Sequence, residues 1–220
     1  MEILCMNEKI DYTHIPAKVN YYSNKSFKIP AHWHTNIELE YVVRGRVHIT
    51  KNGKTRWMGA GECSIIDSGS VHKLRAASDD TVEGISLIFS NEYLKQICPD
   101  FENLSFDLGH CAEKKRLFYD TIEELFYIHK KHCEIKRMKD SDEGTYDFLL
   151  ENSYIQQILY LMMNNFIQKD KPLQQRHAQI TGQNQRIKLC VDYMEEHYHE
   201  NISAGEMADR TGISREYFSR

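Results

Sequence analysis

The feature that most constrains the fold is a succession of short β-type runs, divided by turn signals, between about residues 18 and 90. Asn52 and Gly53 lie between two of these runs and form a strong hairpin signal, because both residues accept a positive φ. Regular short strands with frequent turns predict a sandwich or a barrel. The predicted strands cover residues 37–43, 47–51, 54–57, 63–66, 71–74 and 82–89.

From about Ala112 onward the sequence shifts to a helical period. Apolar residues recur at three- and four-residue spacing in two stretches, which the polar residues 136–144 separate. The periodic positions are Leu117, Phe118, Thr121, Ile122, Leu125, Phe126 and His129, and then Leu150, Tyr154, Ile155, Ile158, Leu159, Met162 and Phe166. Both stripes are wide enough to cover more than one surface. Packing on each other and on the barrel accounts for part of them, and we expect the rest to form a homodimer interface.

Composition excludes several classes of protein. The 220 residues are 41% hydrophobic and 27% charged, with a net charge of −4, which is typical of a soluble globular protein and not of a basic nucleic-acid coat. No apolar run approaches a membrane span, and the N-terminus lacks a signal-peptide pattern. The six cysteines are scattered without a Cys-x-x-Cys pair, which indicates reduced thiols. We therefore expect a cytoplasmic protein with no membrane partner.

The last part of the chain has the pattern of a linker followed by short helices. Residues 171–185 are polar and Gln-rich, and they form the predicted linker. Ser203 and Glu206 form a capping box, in which each side chain satisfies a backbone N–H at the start of a helix. Gly212 supplies the left-handed conformation that ends this helix, and Ser214 caps another.

The spacing around Gly212 favours a DNA-binding helix-turn-helix. Ala208 is a small residue where two helices must approach closely, and Ile213 and Phe218 are apolar residues that fix the angle between them. The alternative is an ordinary helical hairpin with a glycine turn. Residues 184–220 carry five basic and seven acidic groups, a net of −2, whereas a phosphate-binding surface is normally basic.

One family resemblance lies in the run ISAGEMADRTGISREYFSR, which is similar to the first helix-turn-helix of AraC-type transcription regulators. In that family a second helix-turn-helix follows, so we expect the DNA-binding domain to be incomplete where the chain stops at Arg220. The resemblance also implies which positions face DNA, with Arg220 suited to a guanine or a phosphate. The implied DNA-binding positions are Ser214, Arg215, Glu216, Ser219 and Arg220.

Two further motifs lie among the predicted strands and contain three histidines and a glutamate. His32, His34 and Glu38 share one parity of an extended strand, so their side chains point to the same side, which we expect to be the interior of a barrel. The apolar residues 37, 39, 41 and 43 occupy the other parity. The second motif runs from Gly61 to His72.

These motifs resemble the two cupin motifs. In the first, which reads His-x-His, three residues, Glu, six residues, Gly, residues 32, 34, 38 and 45 match every spacing, although Ser26 stands where an earlier glycine is usual. In the second, Gly61, Gly69 and His72 match, whereas residues 67 and 76 depart from the usual proline and asparagine. AraC-type regulators often carry such a barrel as the sensor domain.

Together the resemblances imply an α+β protein with an N-terminal cupin-like β-barrel (a double-stranded β-helix), followed by helices and a partial C-terminal helix-turn-helix. The expected domains are a ligand-sensing barrel at residues 1–110, a helical dimerisation region at 111–170, the linker at 171–185 and a partial DNA-binding domain at 186–220.

Cupin metal sites use three histidines and one glutamate, and the resemblance implies that one divalent transition metal binds here. The candidate ligands are His32, His34, Glu38 and His72. The alternative is that these four residues line a polar ligand pocket without metal. Further candidates for the ligand pocket are Tyr41, Arg44 and Trp57, the last of which could stack on a sugar face.

The function that these patterns predict is a ligand-responsive, DNA-binding transcription regulator and not an enzyme. Its expected partners are a small-molecule effector, with a sugar as one candidate, a second copy of the chain, and DNA in the full-length protein. One alternative is a metal-dependent cupin enzyme, an isomerase or a dioxygenase, in which the His–Glu set is catalytic. Another is a dimerising sensor that does not bind DNA.

Overall fold

The structure is a computed structural model, and it describes residues 6–7, 16–77, 81–108, 112–137, 146–168, 186, 189–190, 193–194 and 196–219. The chain divides into two compact units, Met1–Gln168 and Lys169–Arg220. The first unit contains both the predicted barrel and the predicted helical region. The predicted linker at 171–185 and the candidate DNA-binding residue Arg220 lie outside the described residues.

The described part of the first unit contains nine strands in two sheets. The strands are β1 (Met6–Asn7), β2 (Ala17–Asn24), β3 (Lys28–Trp33), β4 (Glu38–Arg44), β5 (Arg46–Lys51), β6 (Lys54–Gly59), β7 (Glu62–Ile66), β8 (His72–Ala76) and β9 (Val82–Phe89). One sheet has the order β1-β3-β8-β5-β6, and the other has the order β2-β9-β4-β7. All neighbours are antiparallel except β1 and β3.

The hairpin predicted from Asn52 and Gly53 is present. These residues have φ values of 49° and 79° and join β5 to β6, with Lys51 paired to Lys54. A two-residue loop with both φ values positive matches the right-handed twist of the flanking strands, which fixes the register of this hairpin.

Four helical segments follow the strands in the first unit. They are α1 (Asn91–Ile97), a short 3-10 turn (Phe101–Asn103), α2 (Ala112–Arg137) and α3 (Asp147–Asn165). The helical period correctly predicted α2 and α3, but α1 is an addition that the sequence analysis missed. Its beginning has an ordinary signal, because the side chain of Ser90 accepts a hydrogen bond from the backbone N–H of Tyr93.

The two faces of the β2-β9-β4-β7 sheet are both buried, and each face belongs to a different core. On β4, Leu39 and Tyr41 pack toward α2 and α3, whereas Val42 packs between the two sheets. The inner stripe of α2, which includes Phe118 and Ile122, completes the first of these cores. The periodic positions Leu117 and Leu150 remain exposed on the described chain, and so does Tyr127 beside them. They would be available to a second copy of the chain, so the homodimer interface stays a prediction.

The second unit contains α4 (Ala204–Thr211) and α5 (Arg215–Phe218), which are joined by a tight turn. Gly212 has the predicted left-handed conformation, with a φ of 65°, and Ser214 accepts a hydrogen bond from the backbone of Tyr217. Ser203 also caps α4 as predicted. The other half of the capping box is wrong: the carboxylate of Glu206 accepts instead from the hydroxyl of Tyr193, at 2.7 Å, because that stronger partner lies within reach.

Gly84 of β9 faces Tyr22 so closely that a side chain has no room. A Cβ at this position would collide with the Tyr22 ring and with the backbone carbonyl of Tyr41. We expect Gly84→Ala to lower the free energy of unfolding by about 1–3 kcal/mol, because the backbone of β4 cannot withdraw without breaking its pairing. Denaturant unfolding measures this change.

The matched control is Gly59→Ala in β6, where the nearest atom to an added Cβ is 3.8 Å away. This variant should unfold within about 0.5 kcal/mol of the wild type. Equal stability of the two variants would contradict the close packing at Gly84.

Glu151 of α3 is a buried carboxylate held by two histidines of α2. Its Oε1 atom lies 3.0 Å from Nδ1 of His129 and 2.9 Å from Nδ1 of His132. Burial alone would raise the pKa of Glu151, but the hydrogen bond from His129 and the contact with His132 lower it below its ordinary value. The ionised carboxylate thereby joins α2 to α3.

A lowered folded-state pKa means that ionised Glu151 contributes stability above the unfolded-state pKa and loses it as the pH falls through the folded value. We expect Glu151→Gln to cost roughly 1–3 kcal/mol at pH 7. The difference from the wild type should shrink once the pH drops below roughly 4.3, the ordinary glutamate value. Urea unfolding between pH 3 and pH 7 tests this, and a difference that does not vary with pH would contradict it.

Candidate metal and ligand site

Three strand ends bring His32, His34, Glu38 and His72 together inside the barrel. His32 lies at the end of β3 and pairs with His72, the first residue of β8, just after an irregularity in the register. Glu38 is the first residue of β4. All four side chains are buried, and one potential ligand atom from each lies within 4.8 Å of the others. The structure thus assembles the four residues that the sequence analysis selected.

Each histidine ring is oriented by a nearby backbone carbonyl. Nδ1 of His32 lies 3.0 Å from the Pro30 oxygen, Nδ1 of His34 lies 3.1 Å from the Asn36 oxygen, and Nδ1 of His72 lies 2.9 Å from the Ser70 oxygen. A carbonyl can only accept, so we assign the Nδ1–H tautomer to each neutral ring. That tautomer leaves the lone pair of Nε2 available as a ligand, and it is the arrangement that metal-binding histidines commonly show.

Glu38 sits where the imidazoles converge. Its Oε2 atom is 3.0 Å from Nε2 of His34 and 2.9 Å from Nε2 of His72. With both Nδ1 protons donated elsewhere, these contacts place nitrogen lone pairs against a carboxylate oxygen. Such contacts are favourable only when a positive charge is shared there, either a proton on an imidazole or a metal cation.

The charges at the site follow from burial and from these contacts. Burial alone would raise the pKa of Glu38, but the contacts of its carboxylate with His34 and His72 lower it, so the carboxylate stays ionised. Burial lowers the pKa of His32, and the nearby His72 lowers it further. The site therefore combines an ionised carboxylate with the neutral ring of His32, and carboxylate and imidazole are donor types that Fe, Mn, Ni, Cu or Zn ions accept.

Glu40 is a buried neighbour that the sequence analysis missed. Burial raises its pKa well above the ordinary value, and the negative charge of Glu38 raises it further. Its Oε2 atom lies 3.3 Å from the hydroxyl of Tyr22, which donates to it. The signal was available, since Glu40 has the same strand parity as Glu38. The site thus combines one ionised carboxylate with one neutral carboxyl group.

The structure does not bring Tyr41, Arg44 or Trp57 to this cluster. Tyr41 points to the opposite face of the sheet, packs against α2, and donates a hydrogen bond to Glu123. Arg44 is exposed at the end of β4. Trp57 is half exposed on the outer face of β6, where its ring stacks on His48 at a centroid distance of 3.5 Å. Strand parity explains the placement of Tyr41 and Trp57, because it directs both side chains away from the interior. Arg44 has the parity of Glu38, but it lies beyond an irregularity in the pairing of β4 with β9.

The described candidates for DNA contact are all exposed. Arg215 and Glu216 lie on α5, Ser214 caps its start and Ser219 follows its end. Both serines take part in capping, which the sequence analysis predicted for Ser214 only. The remaining candidate, Arg220, lies outside the described residues.

A match to a family model supports the barrel, and several solved structures show partial similarity. Residues 22–88 match the family described as a cupin domain. Among solved structures, a predicted oxalate decarboxylase from Thermotoga maritima is 22% identical, with a TM-score of 0.32 over 34% of this chain and 67% of that chain. A Cupin 2 conserved barrel domain protein from Salinispora arenicola is 15% identical, with a TM-score of 0.35 over 42% of this chain and 79% of that chain. The first unit of the chain contains a cupin barrel with antiparallel sheets and several helices.

Curated relatives cover more of the chain. An uncharacterised HTH-type transcriptional regulator of Staphylococcus aureus strain COL is 21% identical over 187 residues, which are 84% of this chain and 23% of that protein. The corresponding protein of strain MRSA252 is 21% identical over 184 residues, 83% of this chain and 22% of that protein. The chain spans less than a quarter of the length of these relatives. Separately, none of the described helices combines the length and the apolar character that a membrane span requires.

Metal binding can be measured directly. Protein purified without chelators and incubated with Zn²⁺ or Mn²⁺ should retain about one ion per chain after gel filtration, because the four donors converge on one point. We expect His32→Ala/His72→Ala to reduce the ratio to near zero and Glu38→Gln to weaken binding at least tenfold. Elemental analysis and a metal titration give these values.

His48→Ala is the matched control, since His48 lies on the outer face of the barrel against Trp57. Its metal content should equal that of the wild type. Circular dichroism establishes that each variant is folded. A ratio near zero in the folded wild type, or one that the double variant does not change, would contradict the metal site.

Proposed function

We propose that this chain is part of an AraC-type transcription regulator, in which a cupin barrel senses a small molecule and a helix-turn-helix contacts DNA. The observation that carries the proposal is the turn at Gly212. Two capped helices meet there, with Ala208 buried and the backbone N–H of Ile213 donating to the Ala208 carbonyl at 3.1 Å. This is the close approach that a helix-turn-helix requires.

The exposed surface of α5 supports a role in recognition. Arg215 and Glu216 form no ion pair among the described residues, and no residue of α5 is buried. A solvated arginine on a short capped helix can bind a phosphate or the edge of a guanine. The similarity to regulators named as HTH-type, which extends over more than four fifths of the chain, points the same way.

The barrel would act as the sensor. Its four clustered side chains, which we call the His–Glu centre, would hold a divalent metal there: His32, His34, Glu38 and His72. The metal would supply positive charge for the oxygen atoms of a ligand. The hydrogen bonds from the histidine rings to backbone carbonyls would fix the orientation of those rings. A ligand can regulate DNA binding only by its different affinity for two arrangements of the protein. Helices α2 and α3 would differ in position between the two arrangements, since they pack on the outer face of the barrel sheet and would also dimerise.

A metal-dependent enzyme is the second candidate, and the complete set of three histidines and a glutamate favours it. Such a centre could polarise a substrate carbonyl as a Lewis acid. The paired helices around Gly212 have no part in that chemistry. Turnover of a substrate by the metal-loaded protein, combined with an absence of DNA binding, would select this second candidate.

DNA binding tests the first candidate. We expect the chain, or the longest polypeptide that its gene encodes, to bind DNA from its own promoter region with an affinity that falls as salt rises. Arg215→Ala should weaken binding by about 1–3 kcal/mol, or roughly 5- to 150-fold. Fluorescence anisotropy with labelled duplexes measures both effects.

The matched control is Arg116→Ala, which removes the same charge from an exposed position on α2. Its affinity for DNA should match that of the wild type. If neither polypeptide binds promoter DNA more tightly than unrelated DNA at physiological salt, the regulator proposal is wrong. An equal loss of DNA affinity in both arginine variants would contradict a contact between α5 and DNA.

A further inference from the structure

A second cavity lies at the seam of the barrel, away from the His–Glu centre. Strands β6 and β7 are the edge strands of their two sheets and do not pair with each other. Between them, and closed on a third side by Lys115 and Tyr119 of α2, is a cleft of about 450 Å³. None of the four candidate metal ligands lines it. We call this cavity the seam cleft.

The seam cleft is basic in a chain that is acidic as a whole. Four cationic side chains line it: Lys51, Lys54, Arg56 and Lys115. The two acidic residues at its rim are Glu62 and Asp107. Glu62 is already engaged, since it accepts a hydrogen bond of 2.6 Å from the backbone N–H of Gly59. The excess of positive charge attracts an anion.

Two of these cations are held in place by the exposed edge of β7. Nη2 of Arg56 donates to the Cys63 carbonyl at 2.9 Å, and Nζ of Lys51 donates to the Ile65 carbonyl at 2.9 Å. Nζ of Lys51 also lies 3.8 Å from the carboxylate of Asp67. Each group keeps further N–H donors, because a guanidinium has five and an ammonium has three. The N–H groups of Cys63 and Ile65 lie on the same side of the strand as their carbonyls and therefore also face the seam.

The other two cations have no competing partner in the part of the chain that the structure describes. Lys54 and Lys115 form no hydrogen bond or ion pair with the described residues, and they stand on opposite sides of the seam cleft, on β6 and α2. Burial raises the pKa of the nearby Tyr119 to about 12, so its hydroxyl stays protonated and can donate. Donors therefore outnumber acceptors in the cleft.

Part of the remaining lining is apolar, namely Ile49, Phe106 and Leu108, and Thr55 and Ser64 add two hydroxyl groups. A volume of about 450 Å³ falls within the range of small-molecule sites. Donors around an apolar wall suit a molecule that has a negatively charged group and a hydrocarbon or ring portion. A bare inorganic ion would leave the apolar part of the cleft unfilled.

We propose that the seam cleft binds a small organic anion, a carboxylate or a phosphate monoester with an apolar portion. Resting on the proposed function, we further propose that this anion is a second effector of the regulator, beside the ligand of the His–Glu centre. A bound anion would contact Lys54 and Arg56 on the barrel and Lys115 on α2 at the same time. It would thereby favour the arrangement in which barrel and helix lie close together.

Isothermal titration calorimetry with three matched probes tests the binding site. The probes are phenyl phosphate, benzoate and the neutral benzyl alcohol, which separate the two anion classes from the shared ring. Protein is stripped of metal with a chelator and dialysed, so that an anion bound to a metal is not counted. We expect saturable binding of at least one anion, at least tenfold tighter than that of benzyl alcohol and weaker at higher salt.

Lys54→Gln/Lys115→Gln should weaken anion binding at least tenfold. The double substitution removes no side-chain hydrogen bond or ion pair among the described residues. The control Lys28→Gln/Lys73→Gln removes the same charge from exposed positions on β3 and β8 and should bind as the wild type does. Three results would overturn the site. Benzyl alcohol could bind as tightly as the anions, or the anions could show no saturable binding at 10 mM, on the order of the weakest useful affinity. The third is an equal anion affinity in the two double variants.

The effector role is tested separately, by adding the bound anion to the DNA-binding measurement. A change of at least threefold in DNA affinity, which Lys54→Gln/Lys115→Gln abolishes, is expected. Anion binding without such a change would overturn the effector role but not the proposed anion site. DNA binding without anion binding would overturn the proposed anion site but not the regulator function.

Discussion

The structure depends on a sheet that is buried on both faces. Strand β4 lies within that sheet and alternates between two cores, with Leu39 and Tyr41 against the helices and Glu38 and Val42 in the barrel interior. The helices shield one face, so the other can hold polar groups away from water. The low-dielectric interior strengthens the contacts between Glu38 and the histidines. The metal and ligand chemistry that we propose for the barrel thus depends on the helical layer behind it.

The burial of two carboxyl groups two residues apart on β4 raises a problem of charge. Two ionised carboxylates could not share this interior, and the structure resolves the conflict by giving them different partners. Glu38 contacts imidazoles and stays ionised. Glu40 contacts the hydroxyl of Tyr22, and its burial together with the negative charge of Glu38 raises its pKa, so Glu40 stays neutral. The centre therefore carries a single negative charge, which favours a bound cation.

Sequence patterns predicted much of the fold, and physical reasons explain what they missed. Strand alternation and the Asn52–Gly53 turn identified the later barrel strands, and the helical period identified α2 and α3. Parity placed His32, His34 and Glu38 on one side of a strand, and the resemblance to the cupin motifs added His72. Parity also placed Tyr41 on the opposite side, where the structure has it, so its selection as a pocket residue went against the pattern. The seam cleft escaped prediction, since its cations come from β5, β6 and α2, and only the folded chain brings these elements together.

The turn at Gly212 and the seam between β6 and β7 show two ways of ending regular structure. At Gly212 a helix stops because its last carbonyls find backbone donors within the turn. At the seam the ladder stops without a partner strand, and long cationic side chains occupy the carbonyls of β7. An edge capped in this manner cannot recruit a strand from another molecule without displacing charged groups into a less polar environment. The side chains of Lys51 and Arg56 thereby protect the barrel against edge-to-edge aggregation while the seam stays open to small solutes.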